Sequence, residues 1–255
     1  MRKYYICRMS KTQETEWFSD WFNSSYYHTL YKNRDETEAK RFIDSILGRL
    51  KLRDNARIAD IACGRGRHAI YLNKKGYDVT GIDISENSIA FARSHENENL
   101  RFAVHDMRKP FVSNYFDLCL NLFTSFGYFK TEHENELAVK TMYTALKKEG
   151  ILLIDFFNSN TVLRQCPVSE EKDIDGIHFK IRKYISGNQL MKDIQFKTDS
   201  GLRQYSEKVQ LLRQADFEHY FKATGLKITN LFGNYQLEDF KPETSERLIV
   251  VGQKI

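Results

Sequence analysis

Ile58-Ala59-Asp60-Ile61-Ala62-Cys63-Gly64-Arg65-Gly66-Arg67-His68 changes character half-way along. Its first half is a short apolar run closing on two glycines, the pattern of a buried parallel strand that ends in a tight loop. From Arg67 the period becomes helical: Ala69, Ile70 and Leu72, with Tyr71 beside them, form a stripe running towards Gly76, a suitable C-cap residue. Asp78-Val79-Thr80-Gly81-Ile82-Asp83 then reads as a second strand ending in a carboxylate. Strand, glycine loop, helix and strand between Ala56 and Ser85 make a nucleotide-binding βαβ unit.

The residue types follow from the chemistry. A loop that brings backbone N–H groups against a ligand needs residues without a Cβ, which Gly64 and Gly66 supply where the next helix begins. Asp83, roughly twenty residues past the loop, stands where a carboxylate accepts hydrogen bonds from ribose hydroxyls. Asp60, at the end of the first strand, can take a cationic amino group, and Asp106 follows the third strand. Gly64-x-Gly66-x-x-Ala69 also satisfies the relaxed dinucleotide fingerprint, so a nicotinamide-dependent dehydrogenase is a rival, disfavoured by Asp60 and Asp106.

Asp60-Ile61-Ala62-Cys63-Gly64-Arg65-Gly66, Gly81-Ile82-Asp83-Ile84-Ser85 and His105-Asp106-Met107-Arg108 stand in the order of the three cofactor motifs of the class I S-adenosylmethionine-dependent methyltransferases, which this sequence resembles. The resemblance implies an α/β fold: a Rossmann-like, doubly wound, seven-stranded sheet of order 3-2-1-4-5-7-6 with its last strand antiparallel. It implies S-adenosyl-L-methionine as cofactor and S-adenosyl-L-homocysteine as product. Asp60, Cys63, Gly64 and Gly66 then belong to the loop around the methionine part, and Asp83 to the ribose. Asp106 and Met107 flank the adenine, Ile84 covers its other face, and Asn121 joins the cofactor set from the end of the fourth strand.

At 255 residues the chain suits one large α/β domain, or one with an insertion. Hydrophobic residues at 41% and charged residues at 29% are ordinary for a soluble protein, whereas 13% aromatic residues point to an aromatic-lined pocket. A net charge of +5, with basic and acidic residues interleaved, does not demand nucleic acid. The four cysteines, Cys7, Cys63, Cys119 and Cys166, are dispersed without metal-ligand spacing, so no metal is expected. Neither a signal-peptide core at the N-terminus nor a bilayer-length apolar run elsewhere is visible, and the expectation is a cytoplasmic protein without membrane contact.

Upstream of the βαβ unit, Trp17, Phe18, Trp21, Phe22, Tyr26, Tyr27, Leu30 and Tyr31 are unusually dense, and the i, i+4 pairs predict a short helix. Residues 1–35 are read as an aromatic cap that either packs on the domain edge or closes over the cofactor. Tyr27, Tyr31 and Arg34 are the candidates for that closure. Asp35 suits the N-cap of a helix through Phe42, Ile43, Ile46 and Leu50, and residues 36–255 form the catalytic domain.

Downstream, Leu100 to Val104 and Tyr115 to Leu122 read as the third and fourth strands. Glu132 to Lys148 reads as a helix, and Ile151 to Asn158 as a buried fifth strand. Between about 165 and 212 the helix–strand alternation gives way to an antiparallel meander, from Ile177 onward, with turns at Ser186-Gly187-Asn188 and Asp199-Ser200-Gly201. It resembles the β lid that related small-molecule methyltransferases place over their substrate, subunit contact being its rival role. A helix from Asp216 ended by Gly225, and strands at Leu226 to Phe232 and Arg247 to Gly252, complete the sheet.

Phe123-Thr124-Ser125-Phe126-Gly127-Tyr128-Phe129 lies beyond the carboxyl end of the fourth strand, where open sheets hold their ligands. It lacks the Asn/Asp-Pro-Pro-aromatic signature of DNA adenine methyltransferases and resembles enzymes that methylate sugar amines and glycine. Tyr128, Phe129, Asp155 and Asn158 are the candidate acceptor contacts. The reading is methyl transfer by in-line displacement to a nitrogen or oxygen of a small molecule, by a monomer or homodimer. A methyltransferase of RNA or protein, or a noncatalytic cofactor-binding protein, are the alternatives. No spacing singles out a base among His28, His133, Tyr128 and Asp155.

Overall fold

The structure, a computed structural model, describes residues 17–32 and 36–255, so Cys7, Arg34 and Asp35 lie outside the described residues. Two short helices, α1 (Trp17–Phe22) and α2 (Ser25–Leu30), come first. α3 (Glu36–Leu50) leads into β1 (Arg57–Ile61), α4 (Arg67–Lys74), β2 (Asp78–Asp83), α5 (Glu86–Ala92) and β3 (Leu100–Val104). β4 (Phe116–Asn121), α6 (Glu132–Ala145) and β5 (Leu146–Phe157) follow. After α7 (Ser159–Gln165) the chain leaves the sheet for β6 (Val168–Ile174), β7 (Ile177–Ser186), β8 (Gln189–Thr198) and β9 (Gly201–Gln210), and returns through α8 (Gln214–Thr224), β10 (Leu226–Phe232) and β11 (Arg247–Lys254).

The main sheet runs β3-β2-β1-β4-β5-β11-β10. β11 is antiparallel to both its neighbours and the other pairings are parallel, which is the doubly wound arrangement implied by the three motifs. Alternation along the strands divides the core between two faces. Ala59, Ile61, Ile154 and Phe156 pack with Val139, Met142, Phe217 and Phe221 of α6 and α8. Ile58, Leu118, Leu120 and Leu153 pack with Phe42, Ile46, Ala69, Leu72 and Ile89 of α3, α4 and α5. Layers on both faces leave the carboxyl ends of β1, β2 and β4 as the open rim where a ligand can enter.

Two departures from the sequence reading have local causes. α6 stops at Ala145 rather than Lys148, because Leu146 already pairs with Phe116 and the left-handed Glu149 (φ 65°) lets β5 continue past an irregular register. The inserted region contains α7 and β6 in addition to the expected meander. Asn158 caps α7 by accepting the Asn160 N–H at 3.1 Å, and β6 is an exposed edge strand paired with β7.

The cap joins the two sheets. Phe18 enters the main core, whereas Trp21 and Leu30 pack against Phe179, Ile181, Ile194 and Phe196 of the four-stranded sheet. Glu207 on β9 accepts hydrogen bonds from the Trp21 indole (2.8 Å) and the Tyr31 hydroxyl (2.6 Å). No helix among the described residues is long and apolar enough to cross a membrane.

Candidate cofactor and acceptor site

The glycine loop is shaped by positive φ at Ala62 (60°), Gly64 (56°) and Gly66 (81°). Gly66 is required twice over: beyond its backbone angle, a Cβ there would stand 2.6 Å from the Phe102 ring. Gly64 faces the open side, where a Cβ would meet nothing within 4 Å, so that space is left for a ligand. The loop is tied to β2 by Asp83, whose carboxylate accepts the N–H groups of Gly64 and Ser85, each at 2.8 Å. Burial nevertheless raises the Asp83 pKa, against the pull of those N–H groups. Ser85 caps α5 by accepting the Ser88 N–H (3.1 Å), and its own hydroxyl reaches the Phe22 carbonyl (3.2 Å), so the aromatic cap is anchored beside Asp83.

Asp60 is 1% exposed and accepts one N–H, that of Ala69, at 3.2 Å. Burial pushes its carboxyl up to about 7; the Ala69 N–H opposes this and the charge of Asp83 adds to it. A carboxylate so poorly compensated favours a cation brought against it. Asp106 has the opposite setting: burial would raise its pKa, but Arg108 outweighs that and holds it below the ordinary value. Arg108 lies 2.7 Å from Asp106 and 2.5 Å from Glu134.

Beyond β4, Phe123 (φ 55°) and Thr124 (φ 59°) are consecutive non-glycine residues in the left-handed region, a conformation that costs on the order of 1–3 kcal/mol per residue and persists only when its surroundings impose it. Asp155 imposes it here, its carboxylate accepting the Phe123 N–H at 2.7 Å and its carbonyl the Thr124 N–H at 3.0 Å. Arg247 of β11 pairs with Asp155 at 2.7 Å and donates to the Thr124 hydroxyl at 3.0 Å. Burial works against the Arg247 charge, and Asp155 more than restores it. The Phe123 ring stacks on His68 (5.1 Å, 20°) with the Arg67 guanidinium 4.5 Å from its centre.

These elements enclose a cavity of about 820 Å³. Asp60, Cys63, Gly64, Asp83, Ile84, Asp106 and Met107 line it, together with Tyr27, Tyr31, Tyr128 and Phe129, so eleven residues singled out in the sequence share one space. Gly66 stands behind the loop and Asn121 behind β4, its amide donating to the carbonyls of Ile61 (3.1 Å) and Ser125 (3.3 Å). Asp155 and Asn158 are corrections: neither lines the cavity. Asp155 holds the β4 loop, and Asn158 ties the chain to the carbonyls of Pro242 (2.9 Å) and Ser245 (2.8 Å). Polar residues at the end of a central strand serve loop anchoring as readily as substrate, and residue type does not distinguish the two.

Among the candidate bases, His133 is exposed on α6 and pairs with Glu136, and Tyr128 donates its hydroxyl to the Thr124 carbonyl. His28 lines the cavity, but burial and the charge of Arg65 lower its pKa to about 4, which keeps it neutral and a weak base at neutral pH. Phe123, His68 and Arg67 were not among the sequence candidates; the glycine loop and the run after β4 contained them, but nothing in the spacing revealed that they stack.

Residues 58–150 match the family described as “Methyltransferase domain”. Over 243 residues the chain is 30% identical to the protein YqeM of Bacillus subtilis (strain 168), a methyltransferase by name, covering 91% of this chain and 95% of that one. It is 24% identical over 225 residues to “dTDP-3-amino-3,4,6-trideoxy-alpha-D-glucopyranose N,N-dimethyltransferase” of Streptomyces venezuelae, with 83% and 92% of the two chains covered. Its fold is similar to that of an S-adenosylmethionine-dependent methyltransferase from Clostridium acetobutylicum ATCC 824, with a TM-score of 0.75 at 19% identity over 90% of this chain and 96% of that one. The chain belongs to the S-adenosylmethionine-dependent methyltransferases.

S-adenosylmethionine, when bound, supplies a methyl group already activated on a sulfonium. The chain's own residues suit it: the open face of Gly64, the buried carboxylates Asp60 and Asp83, and the apolar side chains of Ile84 and Met107 meet in the cavity. The raised pKa of Asp60 gives a testable pH dependence. A ligand ammonium requires the ionised carboxylate, so affinity for S-adenosylhomocysteine is expected to be flat above pH 7 and to weaken by about tenfold per unit below it. Asp60→Asn flattens that profile in calorimetric titrations between pH 5.5 and 8. The unliganded fold responds the other way: its carboxyl keeps a proton that the unfolded chain releases, so this group's stabilisation, full below about pH 4, is lost as pH rises towards 7.

Proposed function

We propose that the enzyme methylates a nitrogen of a small-molecule acceptor by in-line displacement. The observation that carries this is the enclosure of the acceptor side: Tyr27 and Tyr31 of the cap and Tyr128 and Phe129 after β4 wall the same cavity as the cofactor residues. About 820 Å³ falls in the range of roughly 300–1,000 Å³ usual for small-ligand sites, which leaves room for a cofactor and a small acceptor. The similarity to an amino-sugar N,N-dimethyltransferase supports nitrogen as the atom methylated. In this reading Asp60 holds the cofactor ammonium, Asp83 the ribose, Ile84 and Met107 the two faces of the adenine, and Asp106 its edge.

In this reading the acceptor amine arrives neutral, and catalysis is positioning and exclusion of water, which can supply roughly 7–11 kcal/mol. Cytoplasmic action, as a monomer or homodimer and without nucleic acid, completes the proposal; the free thiols of Cys63, Cys119 and Cys166 are compatible with a reducing compartment. The test is a panel of amino sugars, amino acids and simple amines assayed for S-adenosylhomocysteine release. Multiple-turnover release with an amine, and not with the matching alcohol, is expected. Turnover on RNA or protein but on no small amine sinks the proposal.

A further inference from the structure

None of the described residues of β6 to β9 lines the cavity, so the inserted sheet acts on an acceptor through residues that do. One strand makes both connections. Glu207 of β9 accepts from Trp21 and Tyr31 of the cap, and Gln210, the last residue of β9, is bonded to the loop after β4 that carries Tyr128 and Phe129.

Gln210 uses its main chain and both ends of its amide. Its N–H donates to the Gly127 carbonyl at 2.8 Å, and its Nε2 donates to the Phe129 carbonyl at 3.0 Å. Its Oε1 accepts from the Asn135 amide of α6, which is fully buried and also reaches the Tyr220 hydroxyl of α8 at 3.4 Å. Because Asn135 donates, the oxygen of the Gln210 amide must face α6, which aims its nitrogen at the loop. The two carbonyls held by Gln210 flank Tyr128, whose ring packs on Phe22 (5.4 Å) and Trp17 (5.8 Å). The loop is thus held at two places by different parts of the chain. Asp155 and Arg247 fix Phe123 and Thr124 from the main sheet, and Gln210 fixes Gly127 and Phe129 from the inserted one.

On the reading that this space holds a small acceptor beside the cofactor, we propose that Gln210 is a positioning residue for that acceptor: without lining the cavity, it sets the Tyr128 and Phe129 rings against which the acceptor nitrogen is held. The leverage is kinetic. A misplacement of about 1 Å between reacting groups can cost about a hundredfold in rate, whereas a hydrogen bond to a loop carbonyl contributes little to overall stability. The inserted sheet is then a frame for the acceptor wall, and a change in β9 alters acceptor use without touching acceptor or cofactor.

The test is Gln210→Met in the full chain, which keeps the length of the side chain and the main-chain bond to Gly127 but removes both amide bonds. For the best acceptor of the amine panel, kcat/KM is expected to fall by about tenfold or more, while S-adenosylhomocysteine affinity stays within about twofold. The melting temperature should drop by only about 2–4 °C. Gln210→Glu still accepts from Asn135 but sets a carboxylate oxygen against the Phe129 carbonyl, so turnover is expected to fall there too; parental turnover in that variant overturns the proposal. Acrylamide quenching needs no acceptor. Trp21 is 1% exposed, so quenching reads the half-buried Trp17 packed on Tyr128, and it is expected to rise in Gln210→Met. A lower melting temperature with parental kcat/KM and quenching makes Gln210 merely structural and overturns the proposal. So does a loss of S-adenosylhomocysteine affinity in step with turnover, which places the effect at the cofactor. If no amine in the panel turns over, the acceptor reading falls by itself; raised quenching then still supports the hold of Gln210 on the loop, and unchanged quenching overturns it.

Discussion

Asp83→Ala is expected to weaken S-adenosylhomocysteine binding by about a hundredfold, equivalent to about 2.7 kcal/mol, while leaving the protein folded. The size follows from two roles in one carboxylate. Asp83 lines the cavity where it can accept from a ribose, and its oxygens hold the N–H groups of Gly64 and Ser85 at 2.8 Å, so the variant loses the ligand contact and the loop's anchor together. Asp83→Asn keeps the volume but turns one acceptor into a donor facing these N–H groups, and an intermediate loss of about tenfold is expected. Calorimetry measures both, with a circular dichroism melt as the control for folding. Affinity within threefold of the parent in Asp83→Ala would show that the carboxylate serves the loop alone.

Asp155→Ala should cost about 3–5 kcal/mol of stability, because it leaves the largely buried Arg247 side chain, 17% exposed, without its partner. For a chain of this length that corresponds to a melting temperature lower by roughly 6–20 °C. The double variant Asp155→Leu/Arg247→Met separates two consequences that the single variant confounds. Removing both charges restores much of the melting temperature, since an apolar replacement is close to neutral for a buried pair. It does not restore the Asp155 carboxylate that accepts the left-handed Phe123 N–H, nor the Arg247 bond to the Thr124 hydroxyl, and leaves only the main-chain bond from the Thr124 N–H to the carbonyl of residue 155. A near-parental melting temperature with turnover still depressed is the expected result. Recovery of both together would mean that the β4 loop keeps its shape without Asp155 and Arg247.

Much of this architecture is legible in the sequence because the motifs are local. The glycine loop, the acidic end of β2 and the Asp106-Met107 pair each lie within a few residues of a strand end, so pattern alone places them on one rim. Turn chemistry likewise gives the β7–β8 and β8–β9 hairpins through Gly187 and Gly201. β6 escapes because Glu170, Glu171, Lys172 and Asp173 show no alternation on an exposed edge; the Asp175-Gly176 pair, a hairpin turn with both residues at positive φ, was the available signal. The roles of Asp155 and Asn158 were not legible for a different reason. Their partners, Arg247 and the carbonyls of Pro242 and Ser245, are more than eighty positions away and meet them only when β11 docks on β5.

The placement of the tryptophans gives the enzyme a spectroscopic reporter. The chain has two, Trp17 and Trp21, and both lie on α1. Trp17 packs on Tyr128 at the cavity wall with ring centres 5.8 Å apart, whereas Trp21 is 1% exposed and packs on Tyr205 of β9 at 4.4 Å. Intrinsic tryptophan emission therefore reads the cap and no other part of the protein. If the cap parts from the four-stranded sheet to admit or release ligands, emission shifts to the red as Trp21 meets water, and stopped-flow fluorescence without any added label times that opening against turnover.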